Sequence, residues 1–461
     1  MTKHLLVCSI LFILCHSIAW SQTIAITSST IGIENSTTNS FDVPCLLSVA
    51  PSVKVRANSS TLTDASTGKT IPLSKIRIFI NSIGGTVNLG TNNTEIILSQ
   101  TDQTLYSALA VVNLGGSTVN FRYRIIQSDM TSSAWEAGSY SVDLTYTTPG
   151  GVLCLGTATT TVHLTVTVDA FMNLSSPSAV TLLASAFTNF RTTSPSASNS
   201  LTVKATVPFN LKVNGNTTNF AYTPIAANAS LTPTTPISKV LIQPQALTGS
   251  INVNPTTAYQ ALSGSISVPV GNSTTINLLH TIAYTDIATY FTAAGDYTVL
   301  ATYQVNDART SPTLTAQTAS YNIKETTSDL QELLVNNSTV SLTFNNVTDY
   351  KNGISVDMPS HVSVSKTTPM DVYVKASGST LLQGANSIPA SVITIQGTAS
   401  QTGITPVQLS ATAQKIYSSA LPIVNSSLSI QYAISAANTP QVLSKPAGTY
   451  TTTITYSFTA P

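Results

Sequence analysis

The segment PAGTYTTTITYSFTAP, Pro446 to Pro461, alternates apolar and polar positions over most of its length. Successive side chains of a strand point to opposite faces of the sheet. Tyr450, Thr452, Ile454, Tyr456 and Phe458 therefore share one face, and Thr449, Thr451, Thr453, Thr455 and Ser457 share the other. The first face suits a core and the second suits water. The same start, Ala-Gly-x-Tyr with a second Tyr six residues on, occurs at Ala137, Gly138, Tyr140 and Tyr146, and again at Ala294, Gly295, Tyr297 and Tyr303. Three copies of one strand pattern predict three modules.

Other segments recur in the same order. SVKVRA from Ser52, NLKVNG from Asn210 and DVYVKA from Asp371 are short alternating strands, each followed by a matched octet: IPLSKIRI from Ile71, TPISKVLI from Thr235 and IPASVITI from Ile388. Pro at the second position of each octet suits a strand start, where its missing N–H breaks no ladder bond. Longer alternating strands follow at Val119, Thr275 and Ser427. Self-similarity at a fixed period marks an array, here with domain-sized units. The second and third modules also match where they begin, SAVTLLASAFTNF from Ser178 paralleling TVSLTFNNVTDY from Thr339. Ser328 and Gln331 have capping-box spacing ahead of Leu333 and Leu334, which predicts a turn of helix in the second linker. After the paired tyrosines come TTTVHLTVTV from Thr159 and LTAQTASYNI from Leu314, with no counterpart before Pro461. The third sheet is expected to be one strand shorter at that edge.

Thr- and Ser-rich alternation with β-branched apolar residues favours strands, so the expected class is all-β: three tandem immunoglobulin-like β-sandwich modules after a signal peptide. The apolar run LLVCSILFILCHSIAW after Lys3, closed by the small residues Ala19 and Ser21, has the form of a secretory signal. Residues 1–21 are read as that signal, and the modules as 22–168, 169–325 and 326–461. Cys15 follows Leu14 and Cys8 lies too early, so lipidation is not expected. Loss of Cys8 and Cys15 with the signal leaves Cys45 and Cys154, a pair that in an exported chain reads as a disulfide. Closing a loop of about 110 residues, it contributes on the order of 4 kcal/mol in the chain-entropy model. After the signal, Ile24 and Ile26 alternate, and Ile31 and Ile33 alternate in the opposite parity. This is the first strand of module one or, alternatively, a donor strand offered to another subunit's sheet edge.

Charge narrows the partners. Without Lys3 the chain carries 19 − 1 = 18 basic and 18 acidic residues, which leaves no basic footprint for nucleic acid. No second apolar run has the length of a membrane span, so no transmembrane anchor is expected. Chemistry is sparse as well. His163 sits on the polar parity of its strand, His280 lies in an apolar strand as a packed or half-exposed core residue, and His361 follows Pro359 and Ser360 in a loop-like segment. None has a partner at metal-ligand spacing. Asp349, Asn352 and Gly353 faintly resemble a calcium loop but lack its alternating oxygen ligands, and a turn ending in Gly accounts for them. No nucleophile elbow, paired carboxylates or P-loop appears. Catalytic, cofactor-binding and metal residues are therefore all read as none, and the chain as no enzyme. Gly before each key Tyr supplies a positive φ, and each Tyr packs in the core with its hydroxyl free to bond backbone. Trp135 offers a sugar-stacking alternative. The sequons Asn58-Ser59-Ser60 and Asn337-Ser338-Thr339 matter only in a glycosylating host.

With these strands identified, AGTYTTTITYSFTAP resembles the closing strand of bacterial WxL-type surface modules and that of spore coat U-type and related chaperone-usher pilin domains, which also end in Gly-x-Tyr and an alternating Thr-rich strand. Tyr456-Ser457-Phe458 stands where the second Trp-x-Leu of the WxL family would fall, so peptidoglycan attachment is not implied. The resemblance implies an exported bacterial sandwich protein. The expected function is a non-enzymatic structural or adhesive surface protein, secreted or at the cell surface, whose partners are other subunits, proteins or glycans there, fimbria-like self-assembly included. The alternative is an extracellular carbohydrate-binding protein.

Overall fold

The structure, a computed structural model, describes residues 20–42, 52–83, 86–89, 92–107, 110–113, 118–148 and 157–459. Most of the expected signal, and both Cys45 and Cys154, lie outside the described residues. The fold is all-β. Its buried apolar side chains gather in three clusters: one between Ile24 and Val168, one between Met172 and Ile323, and one between Val362 and Tyr456.

Two sheets enclose each cluster. Around the first, one sheet runs in the order Trp20–Ile26, Ala158–Val168, Gly138–Thr148, Ser52–Ala57 and Gln103–Ser107, and the other in the order Asn35–Asp42, Thr118–Ile125, Arg77–Ile83 and Ile96–Ile97. Around the second, Val180–Ala184, Gln317–Thr327, Gly295–Asp307 and Phe209–Gly215 belong to one sheet, and Met172–Leu174, Ser196–Ala205, Ser273–Ile282 and Val240–Gln245 to the other. In both, the strand that begins at Ala-Gly-x-Tyr (the tyrosine strand) pairs antiparallel with the strand after it (the closing strand). The closing strand in turn pairs parallel with a strand from the region's beginning (the lead strand), Trp20–Ile26 or Val180–Ala184. Ile24 and Ile26 are thus buried within their own region, opposite Val166 and Val168. Cleavage after Ser21 would remove Trp20 and Ser21 from that lead strand and leave the rest of it.

The period-2 pattern reports burial accurately. Along Gly138–Thr148 and Gly295–Asp307 the tyrosines and aliphatics are buried while the alternate positions face outward. At the end of the chain Thr451, Thr453 and Thr455 are exposed and Tyr456 is buried, although ladder pairing is confined to Ile454–Ser457. Each Pro of the matched octets precedes a one-turn 3-10 helix, Leu73–Lys75, Ile237–Lys239 or Ala390–Val392, rather than opening a strand directly. Pro fixes its own φ near −65°, and here it caps that turn in all three places. The capping-box spacing at Ser328 and Gln331 does not make a helix. Gln331–Val335 is a strand paired with 362–366, because a tertiary ladder outweighs a single local turn.

Glycine before the first Tyr is explained only in part by φ. Gly295 has φ +150°, and a Cβ there would also lie 2.5 Å from the Thr223 carbonyl oxygen. Gly138 has no positive φ. Its Cβ would collide with the Asp64 carboxylate, which accepts the Ser139 N–H at 3.2 Å. Close approach of the neighbouring strand is what these two positions share.

Candidate functional site

The hydroxyls of the paired tyrosines have fixed roles. The first Tyr of each pair donates to the backbone carbonyl four residues back: Tyr140 to Glu136 at 2.8 Å, Tyr297 to Ala293 at 2.9 Å and Tyr450 to Pro446 at 3.0 Å. The second Tyr meets a polar group from the facing sheet. Tyr146 pairs with Tyr123 at 2.7 Å, Tyr303 with His280 at 3.2 Å and Tyr456 with Tyr432 at 2.6 Å. Desolvation raises the pKa of every one of these second tyrosines and holds them neutral. These are structural locks across the cores.

The other residues of chemical interest are locks as well. His163 lies on the outer face and pairs with Asp143 at 2.8 Å. His280 is fully buried, and desolvation lowers its pKa to about 4. His361 corrects the loop expectation. It lies in the strand Gly353–Lys366, is buried, and meets the Tyr432 hydroxyl at 3.0 Å. Asp349 belongs to the short helix Val347–Asn352, whose cap Asn346 accepts the Asp349 N–H at 3.1 Å and which ends at Gly353 with φ +78°. Among the described residues no group of three or more His, Cys, Asp or Glu side chains is placed to hold a metal. Trp135 is buried, with its indole N–H on the Met130 carbonyl at 3.1 Å, and so presents no sugar-stacking face. The large exposed aromatics, Trp20, Tyr259 and Tyr284, form no ring contact with one another. A depression of about 230 Å³ over Asn216, Thr217, Ala221, Leu300 and Asn322 has no titratable side chain in its lining.

The feature that sets one region apart lies around the third core cluster. Its tyrosine strand, Ile454–Ser457, pairs with Met370–Ala376 on one side only. In the other two regions the second side carries the closing strand. Residues 339–345 match the second lead strand in sequence, with Val340, Leu342 and Phe344 in place of Val180, Leu182 and Ala184. They keep its burial alternation, these three half-buried against the core and Thr339, Ser341 and Thr343 exposed, yet they form no ladder. The lead and tyrosine segments are both present, and the strand that would hydrogen-bond to each is not among the described residues.

Exposure follows from that gap. Tyr456 is 9% exposed, against 1% for Tyr146 and 0% for Tyr303. Tyr450, Ile454, Phe458, Val340, Leu342 and Phe344 are only half-buried. The second region shows what would cover them. There Val180 and Val299 both meet Ile323, Leu182 and Tyr297 meet Glu325, Ala301 meets Tyr321, and Tyr303 meets Ala319. By alignment, an inserted strand would run parallel to 339–345 and antiparallel to Ile454–Ser457, with alternate side chains facing Tyr456, Ile454, Thr452 and Tyr450. Four buried apolar side chains, as in Ala158–Val168, contribute on the order of 1.5–3 kcal/mol each.

No family model and no curated protein matches this chain. Among solved structures the chain is similar to CfaE, the adhesive subunit of CFA/I fimbria of enterotoxigenic Escherichia coli, at 12% identity, covering 67% of this chain and 98% of that one with a TM-score of 0.28. It is similar to the chaperone-tip adhesion subunit complex CsuC-CsuE of Acinetobacter baumannii Csu pili at 14% identity, 63% and 98% coverage and a TM-score of 0.27. The CupB6 tip adhesin of Pseudomonas aeruginosa matches at 9% identity, 64% and 91% coverage and a TM-score of 0.29.

Proposed function

We propose that this chain is a non-enzymatic, extracytoplasmic structural or adhesive surface protein of three tandem β-sandwiches, 22–168, 169–325 and 326–461, in which the third accepts a β-strand from another subunit. The observation that supports this is the unfilled strand position between residues 339–345 and the tyrosine strand Ile454–Ser457. A free sheet edge beside half-covered apolar residues is a template for strand addition, in which main-chain hydrogen bonds supply affinity and alternating side chains supply specificity. Ser/Thr-rich outer faces and near-zero net charge suit spacer modules. The uncharged apolar run after Lys3 supports export. Trp135, being buried, offers a sugar no stacking face.

The test uses a peptide that the fold already accepts in the corresponding place, TTTVHLTVTV, residues 159–168. Added to the full-length protein, it should slow hydrogen exchange along 454–457 and raise the melting temperature of the third sandwich. The same peptide with Ser at the positions of Val162, Leu164, Val166 and Val168 should do neither. Equal effects from both peptides, or none from either, would overturn the proposal.

A further inference from the structure

The Ala-Gly-x-Tyr turns do more than start a strand. At each of two joints the Ala N–H donates to a Thr carbonyl in the next sandwich, Ala137 to Thr206 at 2.7 Å and Ala294 to Thr367 at 2.9 Å. Both acceptors begin a Thr-x-Pro segment just ahead of a strand, Thr206 to Pro208 and Thr367 to Pro369, and both are fully buried. Each Thr hydroxyl also pins the linker. Thr206 Oγ1 donates to the Asp169 carbonyl at 2.7 Å and accepts the Phe171 N–H at 3.0 Å. Thr367 Oγ1 donates to the Ser328 carbonyl at 2.9 Å and accepts the Leu330 N–H at 2.8 Å. A buried Asn of the second sandwich closes each joint. Asn272 bonds the Trp135 carbonyl at 2.7 Å, and Asn228 bonds the Thr367 carbonyl at 3.1 Å.

The third turn has the same shape without a neighbour. Gly448 has φ +142°, close to the +150° of Gly295, and Tyr450 holds the Pro446 carbonyl as Tyr297 holds that of Ala293. Ala294 is fully buried under the next sandwich, whereas Ala447 is exposed and its N–H has no partner among the described residues. Nearby, the short helices Val347–Asn352 and Pro440–Leu443, joined through the Thr439 hydroxyl on the Tyr350 carbonyl at 2.7 Å, expose Val347 and Leu443 at 84% and 65%.

We infer that the Ala-Gly-x-Tyr turn is the docking element of each sandwich, and that the one at Ala447 takes the Thr-x-Pro strand start of a sandwich on another polypeptide. Thr206 and Thr367 of this chain are already engaged, so the occupant is not their own segment in a second copy. Docking is independent of strand acceptance: it uses the Ala447 N–H, not the ladder of Ile454–Ser457.

A covalent surrogate of the partner tests this on the full chain. A second copy of residues 308–461 fused after Pro461 supplies a connection, a closing strand, a linker and the segment from Thr367 to Pro369. Residue-resolved hydrogen exchange should find the Ala447 N–H slowed at least about tenfold relative to the parent chain, as expected for one buried hydrogen bond. Protection along 454–457 with Ala447 unchanged would overturn docking and leave strand acceptance standing. No protection at either place would overturn both. In the parent chain, Thr367→Val keeps the shape and removes the hydroxyl that pins the linker. Distances between spin labels on the second and third sandwiches should broaden, and an unchanged distribution would equally refute the role given to the joint.

Discussion

Glu325 lies in the closing strand of the second sandwich, fully buried and without a cationic partner. Its carboxyl is 3.1 Å from the Thr327 hydroxyl, which in turn donates to the Phe291 carbonyl at 2.8 Å. The single Thr327 hydroxyl hydrogen cannot serve both acceptors, and a protonated carboxyl can donate to Thr327 in its place. Desolvation, reinforced by nearby Asp296, raises its pKa to about 8. A carboxyl whose folded pKa is raised stabilises fully below its unfolded pKa of 4.5, and that stability is lost as pH rises toward 8. A shift of this size corresponds to about 4 kcal/mol at pH 8. His280 acts in the opposite sense. Its pKa, lowered to about 4 by burial, costs stability as pH falls below 6.5. Between pH 4.5 and 6.5 the two slopes roughly cancel, and above 6.5 only the Glu325 loss remains, about 2 kcal/mol by pH 8. Glu325→Gln keeps the shape and an N–H donor for Thr327. Its stability should rise from pH 4 to 6.5, stay flat above, and exceed that of the parent at pH 8 by several kcal/mol. Urea titrations with a deuterium pulse at fixed pH, read on peptides from 317–327, should place the variant's midpoint higher by about 1 M or more at pH 8. A parent-like fall above pH 6.5 in the variant, or a lower midpoint than the parent's at pH 8, would refute the protonated-carboxyl reasoning.

Two further perturbations test the strand patterns. Tyr456→Ala removes a core side chain and its bond to Tyr432 and should destabilise the third sandwich by about 3 kcal/mol, while exposed Thr453→Ala should shift it by less than about 0.5 kcal/mol. Urea midpoints read on peptides from 370–376 compare them, and equal losses would mean that the strand is not half-buried. Gly295→Ala forces a Cβ toward the Thr223 carbonyl at a φ of +150° and should cost the second sandwich at least about 1 kcal/mol; a neutral change in its melting temperature would remove the close-approach explanation.

Alternation along single strands was legible from the sequence because it is local. Tyr450 to Phe458, Gly138 to Thr148 and the lead pair Ile24 and Ile26 declare which side faces a core before any partner is known. The place of His163 on a polar parity followed from the same period, whereas the apolar strand around His280 left open whether it is packed or half-exposed. Partnership was not legible, because hydrogen-bond neighbours depend on where distant segments lie. Leu333 and Leu334 look like the start of a helix until 362–366 comes alongside and pairs with them. His361 reads as loop until the strand Gly353–Lys366, irregular between Met358 and Val362 where it pairs with Ile423–Ser435, brings it beside Tyr432. Trp135 looks free for a ligand, yet Asn272, 137 residues away, holds its backbone in the first joint. Only the tertiary structure placed half-buried Val340, Leu342 and Phe344 and half-covered Tyr450 and Ile454 around one core. A strand's pattern specifies the face it buries, and the strand's neighbours, which decide whether that face is fully covered, come from elsewhere in the fold.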